Sequence, residues 1–293
     1  MKTVRAAAPA KINLTLHITG QRPDGYHLLD SLVAFAKFGD YVTIQAGNTL
    51  SLTVEGPEAK GVPSDMANLA LKAAALYKTD AGAALTLRKF LPAASGIGGG
   101  SSDAAAALRG LSHFHDLPLP DADAILALGA DVPVCVAART ARMTGIGDQV
   151  DVLPDLPETD IVLVNPRVGV ATAAVFGALE SKSNAPMPDA IPPWNSTEDL
   201  CLWLRSQRND LEAPALSHAP VIADCLASLN EFGALFARMS GSGATCFGLF
   251  ESDGFSAKSA RKFILDRHPD WWVVNASLLR REDLDDYLIL STT

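Results

Sequence analysis

Residues 92 to 103 read Pro92-Ala93-Ala94-Ser95-Gly96-Ile97-Gly98-Gly99-Gly100-Ser101-Ser102-Asp103. Gly96, Gly98, Gly99 and Gly100 carry no Cβ, so this turn is free to take positive φ and to bring its amides close to a ligand. Ser101, Ser102 and Asp103 are capping residues by type, and the Ala104-Ala105-Ala106-Ala107-Leu108 that follows favours helix. Unpaired N–H groups and the dipole at such a helix start attract an anion, which makes a phosphate site the expectation. The Walker-type P-loop does not fit, because its lysine is absent, and the dinucleotide fingerprint counted from Gly96 needs glycine or alanine where Ser101 stands. Read by itself, the stretch is otherwise a flexible or tightly packed turn.

Four other places carry reactive or ligand-binding side chains. Lys11 and Asn13 lie two residues apart in an alternating stretch, sharing a face with Thr15 and His17 and opposing Ile12, Leu14, Leu16 and Ile18. They suit a phosphate or a polar ligand group, or else form a solvated face. Tyr26 and His27 follow the turn Gln21-Arg22-Pro23-Asp24-Gly25, where they suit stacking on and hydrogen bonding to a ring, or else are a half-buried tyrosine and a surface histidine. Asp131 stands between a helix end at Gly129 and an apolar run, 132–136, that reads as a buried strand. It is either a general base or a turn-forming acid ahead of Pro133. The fourth place is a second glycine loop, Met239-Ser240-Gly241-Ser242-Gly243-Ala244-Thr245.

The elements needed to position these groups follow from periodicity and turn residues. Strands are expected over 10–18, 41–44 and 50–54 as an antiparallel meander, then a helix over 68–77 and a strand over 84–88 entering the glycine loop. A helix over 103–115 follows, then another capped by Asp121, a glycine turn at 143–148 and a linker at 154–157. In the second half, Ile161 to Val164 reads as a strand, Thr172 as the cap of a helix carrying Phe176, and 185–193 as a mobile proline-rich loop. Asn209 to Glu212 reads as a helix start, 246–250 as a strand, 256–267 as a helix and 271–274 as a closing strand, with Glu282 to Asp286 on a solvated helix face.

Composition narrows the partners. With 293 residues and 48% hydrophobic residues the chain can bury a large core, and two domains are expected. A net charge of −9 argues against nucleic acid and against anionic membrane surfaces, so an anionic ligand must be held by local groups. Cys135, Cys201, Cys225 and Cys246 lack metal or disulfide spacing and read as buried hydrophobes. With neither a signal peptide nor a membrane span in view, the expected location is cytoplasmic.

Three stretches together resemble the GHMP family of small-molecule kinases: Pro9-Ala10-Lys11-Ile12-Asn13, residues 92–102, and Ser240-Gly241-Ser242-Gly243-Ala244-Thr245. Two more, Gly20-Gln21-Arg22-Pro23-Asp24-Gly25-Tyr26-His27 and Leu128-Gly129-Ala130-Asp131-Val132-Pro133, are similar to the branch of that family whose acceptor is a cytidyl diphosphate sugar alcohol of the non-mevalonate isoprenoid route. The resemblance implies an α+β, two-domain GHMP kinase fold: an S5-like N-terminal ATP-binding domain with a left-handed β-α-β unit over 1–155, a ferredoxin-like C-terminal substrate domain over 156–293, and the active site between them. It implies transfer of the γ-phosphoryl group of ATP, with Mg²⁺, to the 2-hydroxyl of the acceptor's sugar alcohol. By motif position Lys11 and Asp131 correspond to the catalytic pair. Pro92, Ala93, Ala94, Ser95, Gly96, Ile97, Gly98, Gly99, Gly100, Ser101 and Ser102 correspond to the ATP loop. Asn13, Tyr26, His27, Thr172 and Phe176 correspond to acceptor-side positions, with Tyr26 and Phe176 similar to residues that sandwich cytosine. Ser95 departs from the alanine or glycine more usual in the family loop, and a glutamate that helps hold Mg²⁺ in some relatives has no assigned counterpart, so the metal ligands stay unknown. The rival readings are a mevalonate- or homoserine-type kinase and a non-catalytic module of the same fold. Presence of both Lys11 and Asp131 favours an enzyme.

Overall fold

The computed structural model describes residues 2–78 and 82–292. Its first half is organised on β3 (His27–Gly47), a single strand of 21 residues rather than the separate short strand expected from Tyr41. Gly39 does not break it. A Cβ there would lie 2.0 Å from the carbonyl oxygen of Ala8, in space taken by a bulge of the neighbouring β1 (Thr3–Asn13) between Pro9 and Lys11. Glycine at this point is a close backbone approach, and the bulge it permits re-aims Lys11.

The expected strand over 10–18 is split: β1 ends at Asn13 and β2 (His17–Gln21) pairs with the start of β3. Nor is its polar face solvated, since Lys11, Asn13, Thr15 and His17 are all buried. The strand β4 (Ser51–Glu55) joins no antiparallel meander. It runs parallel to β5 (Gly82–Arg88), reached through the short helix α1 (Leu69–Ala74), which Asn68 caps. The helix α2 (Gly99–His115) packs its alanine face, Ala104 to Ala107, fully buried against this sheet, and comes so close that a Cβ on Gly110 would lie 2.4 Å from Ile44. Helix α3 (Ala122–Leu128) is capped by Asp121 as expected, but 132–136 lies in a helix, α4 (Val132–Ala137), not a strand. Pro133 sits in its first turn, where a missing N–H costs nothing. A hairpin of β6 (Ala141–Thr144) and β7 (Gln149–Val152) completes the half by pairing with β3.

The second half holds a four-stranded antiparallel sheet. Its strands are β8 (Thr159–Asn165), β9 (Phe236–Met239), β10 (Cys246–Glu251) and β11 (Trp272–Ser277), in the order β11-β8-β10-β9. This is the ferredoxin-like order, with α5 (Thr172–Gly177), α6 (Thr197–Arg205), α7 (Glu212–His218) and α8 (Val221–Glu231) between the first two strands and α9 (Ser256–Arg267) before the last. Alternation divides the apolar residues between two cores. Val162, Val164, Cys246 and Phe250 face α7, α8 and α9, while Ile161, Leu163, Phe247 and Leu249 face α6 together with Ile12, Leu14 and Leu32 of the first half. The two halves therefore share a core. After a 3-10 turn (Arg281–Asp283) and α10 (Leu284–Leu288), the final strand β12 (Ile289–Thr292) returns to pair with Thr3 to Ala6 of β1, so the last residues of the expected second domain complete the first sheet.

Segment 185–193 forms no regular element, yet it is anchored rather than loose. Met187 is buried, its amide donates to Asp30, and Arg142 donates to the carbonyls of Met187, Pro188 and Asp189.

Candidate active site

The site is assembled at the β1 bulge. The Lys11 amide donates to the carbonyl of Ile97 at 3.0 Å, tying the strand to the glycine loop, and Lys11 Nζ lies 2.7 Å from Asp131 Oδ1. Asp131 occupies the N-cap position of α4 but caps nothing with its side chain, which leaves the carboxylate for Lys11 and for the cleft. Exposure separates the pair: Lys11 is 4% exposed and Asp131 40%. A buried cation is thus held against a carboxylate that a solute can reach.

Gly98, at φ 65°, is the N-cap of α2, so the helix starts at Gly99 and takes Ser101, Ser102 and Asp103 into its own first turns. None of the three caps it, contrary to expectation. Four amides at the start of this 17-residue helix are therefore left to face the cleft. A Cβ on Gly98 would press within 3.1 Å of the Lys11 Cβ. The second glycine loop supports the first from behind: a Cβ on Gly96 (φ 77°) would lie 2.5 Å from the Ser240 carbonyl, and one on Gly241 2.7 Å from the Gly96 carbonyl. Ser240 Oγ joins three segments at once, accepting from the Asn13 amide at 3.1 Å and donating to the Gly96 carbonyl at 3.0 Å.

Beneath the helix start lies a buried charge cluster that type and spacing did not reveal. Lys89 Nζ bonds to Asp40 Oδ2 and, at 2.7 Å, to Asp103 Oδ2. Asp40 also accepts from the amides of Phe90 and Leu91, whereas Asp103 Oδ1 has no hydrogen-bond partner among the described residues. Burial and the neighbouring Asp40 push Asp103 up to about 8, against the pull of Lys89. Lys89 is buried too, but its two carboxylates hold it above its ordinary value.

Three cavities line up along the cleft and share walls. The central one, about 380 Å³, is bordered by Lys11, Asn13, Ser101, Asp131, Thr172 and Ser242, and meets a second of about 270 Å³ at Ala94. That second cavity runs past Pro92, Ala93, Gly99 and Gly100 to Val62, Pro63 and Asn68. At the other end the centre shares Leu29, Ile146 and Phe176 with a larger, mostly apolar cavity of about 600 Å³, walled by Tyr26, His27 and Lys182. Here the His27 and Phe176 rings lie 4.8 Å apart, tilted by 33°, while Tyr26 is 62% exposed at the mouth. Burial, and then Lys182, hold the His27 imidazole below its ordinary value, and its buried Nε2 has no partner among the described residues. Thr172 heads α5 at its first helical position, where its hydroxyl bonds to Ser242 at 2.9 Å rather than capping the helix.

Every residue expected at the site is therefore near the cleft, but not every side chain faces it. Ser95 donates to the Pro92 carbonyl, Ile97 is core, and Ser102 donates to the Pro9 carbonyl. Ser101 is the loop serine that borders the central cavity. Asp40 and Lys89 carry no signal in their types or spacing, whereas Ser240 and Ile146 each stand in a glycine loop that does.

Two family models match the chain: GHMP kinases N terminal domain over residues 68–152 and GHMP kinases C terminal over 196–265. A protein of Ruegeria pomeroyi named 4-diphosphocytidyl-2-C-methyl-D-erythritol kinase is 56% identical over 277 residues, 94% of this chain and 99% of that protein. A crystal structure of 4-(cytidine 5'-diphospho)-2C-methyl-D-erythritol kinase superposes with a TM-score of 0.74 at 30% identity, covering 94% of this chain and 98% of the other. The mevalonate kinase of L. major, solved with R-mevalonate, shares the fold alone, at a TM-score of 0.66 and 16% identity over 93% of this chain and 95% of the other.

Proposed function

The chain belongs to the GHMP kinase family, and we propose that it phosphorylates the 2-hydroxyl of 4-diphosphocytidyl-2-C-methyl-D-erythritol with ATP, in the non-mevalonate route to isoprenoid precursors. The observation that carries this reading is the Lys11–Asp131 pair, 2.7 Å apart, standing in the middle cavity between a helix N-terminus and an aromatic pocket. A phosphoryl donor and a base-bearing acceptor laid end to end would meet there. Phosphoryl transfer has a loose transition state, so the protein's work is to position the groups and stabilise charge. Asp131 accepts the proton of the acceptor hydroxyl, and Lys11 offsets the charge on the transferring phosphoryl group. The amides of Gly98 to Ser101 and the α2 dipole hold the triphosphate. Tyr26 and Phe176 take the two faces of cytosine, His27 its polar edge, and Asn13 and Thr172 the part of the acceptor next to the centre.

Mg²⁺ fits these residues as a companion of the triphosphate rather than as an ion in a protein cage. Among the described residues no cluster of three His, Cys, Asp or Glu side chains is available to hold it. Ser101 is the loop residue we assign to it, in keeping with a cation that keeps its waters and binds through few protein groups. When bound, it supplies charge neutralisation on the phosphate oxygens. By role, residues 1–155 supply the nucleotide loop and the catalytic pair, and residues 156–293 supply Thr172 and Phe176. We place the enzyme in the cytoplasm, with ATP and the cytidyl acceptor as its partners and neither nucleic acid nor membrane among them; no helix among the described residues is long and apolar enough to cross a membrane.

A coupled assay of ADP release with ATP and a panel of acceptors tests the reading. Turnover is expected with the cytidyl acceptor and not with mevalonate or homoserine; the reverse order would sink it.

A further inference from the structure

Asn13 is built into the site with more constraint than a lone polar residue needs. Its side-chain Nδ2 donates to Ser31 Oγ at 2.8 Å, and Ser31 Oγ gives its single proton to the Thr15 carbonyl at 2.5 Å. The hydroxyl has then no proton left, so it can only accept from Asn13. Turning the amide over would set Oδ1 against the lone pairs of Ser31. Thr15 is itself fixed: its Oγ1 accepts from the Leu32 amide at 2.7 Å and donates to the Met187 sulfur at 3.0 Å. Met187 is held in turn by the hydrogen bond that its backbone N–H donates to the Asp30 carboxylate, which is paired with Arg142. The anchored segment around 187 thus braces the strand break that follows Asn13.

Resting on the kinase reading above, we propose that Ser31 is a positioning residue that fixes Asn13 with its carbonyl oxygen toward the cleft, so that Asn13 accepts an O–H of the acceptor instead of donating to a phosphate. Asn13 borders the central cavity, and its Oδ1 accepts no hydrogen bond among the described residues. The acceptor's hydroxyl-bearing part supplies the missing donor. Segment 185–193 gains a role in the same step, as the brace behind Thr15.

Two measurements carry the test. In kinetics, Ser31→Ala raises the KM of the cytidyl acceptor about fivefold to twentyfold, the worth of one hydrogen bond, while kcat and the KM of ATP stay within about twofold. Equal change in both KM values, or none in either, overturns the proposal. In NMR on the wild-type protein, which needs no variant to fold, one Asn13 side-chain amide proton exchanges slowly. The Asn13 carbonyl carbon shifts on adding the cytidyl acceptor and stays put on adding a non-hydrolysable ATP analogue. Free exchange of that proton, or a shift driven by the nucleotide, overturns it. If the acceptor does not bind at all the proposed function falls, while amide protection still decides whether Ser31 orients Asn13.

Discussion

At the scale of single residues, the cleft separates groups that act from groups that hold them. Asp131→Asn keeps size and the start of α4 but removes the proton acceptor, so kcat should fall by about 10²–10⁴-fold with nucleotide affinity nearly unchanged. Stopped-flow turnover beside equilibrium titration with an ATP analogue checks this, and near wild-type kcat would remove Asp131 as the base. Tyr26→Ala acts at the other end. Exposed at the mouth of the aromatic pocket, Tyr26 should contribute about 1–3 kcal/mol of stacking to the cytidyl acceptor and nothing to ATP. Paired calorimetric titrations decide it, and an equal loss for both ligands would mean damage to the fold. Residue types and spacing leave these positions open between chemistry and a plain structural role, and it is the resemblance of their motifs to the family that singles them out. The orientation of Asn13 was not legible, since it depends on a serine eighteen residues away.

At the scale of elements, the glycine loop was readable and its support was not. The run of glycines announced a backbone with positive φ, but helix propensity placed the α2 start at Asp103, four residues late, because serine and aspartate are capping residues in most contexts. Here Gly98 starts the helix and Asp103 turns inward to Lys89, a contact set by β3 and β5 that no local pattern encodes. The run 132–136 misled in the same way: its valines favour strand, yet Pro133 at a helix start and burial on one side decide for α4. Apposition of the two loops predicts that Gly96→Ala is severe. Its backbone φ of 77° strains any side chain, and the Cβ meets the Ser240 carbonyl at 2.5 Å. Strain of this kind costs about 1–3 kcal/mol, which should appear as a lower melting temperature together with lost binding of the ATP analogue; a variant that binds normally would show that the loops move apart freely. The charge cluster predicts a pH effect. Asp103 sits at about 8 when folded and near 3.8 when unfolded, so the folded chain keeps a proton the unfolded chain has lost. Its contribution to stability is complete below 3.8 and drains away as pH rises toward 8. Melting curves between pH 5 and 8.5 should therefore slope downward more steeply for wild type than for Asp103→Asn. Parallel slopes would mean that Asp103 does not titrate in this range.

At the scale of the whole molecule, the shared core and the returning strand β12 make the two halves one frame around a through-going cleft. The nucleotide-end cavity, the central cavity and the aromatic cavity are consecutive and meet only through shared walls at Ala94 and at Leu29, Ile146 and Phe176. On the proposed reading both ligands occupy the cleft together, with the Lys11–Asp131 pair between the reacting atoms, and neither has to leave before the other enters. A phosphoenzyme route would require a side chain that takes the phosphoryl group and later gives it up. Each hydroxyl and carboxylate side chain bordering the central cavity already has another role: Asp131 is paired with Lys11, Thr172 and Ser242 share a hydrogen bond, and Ser101 is the residue assigned to Mg²⁺. Direct transfer through a ternary complex is the expected outcome. Initial rates measured over a grid of ATP and cytidyl acceptor concentrations should give double-reciprocal lines that intersect, because each substrate raises the occupancy of the complex that reacts. Parallel lines, the signature of a covalent intermediate, together with exchange of label between ATP and ADP in the absence of acceptor, would show that the cleft works in two separate steps and that the end-to-end arrangement of its cavities is not the path of the phosphoryl group.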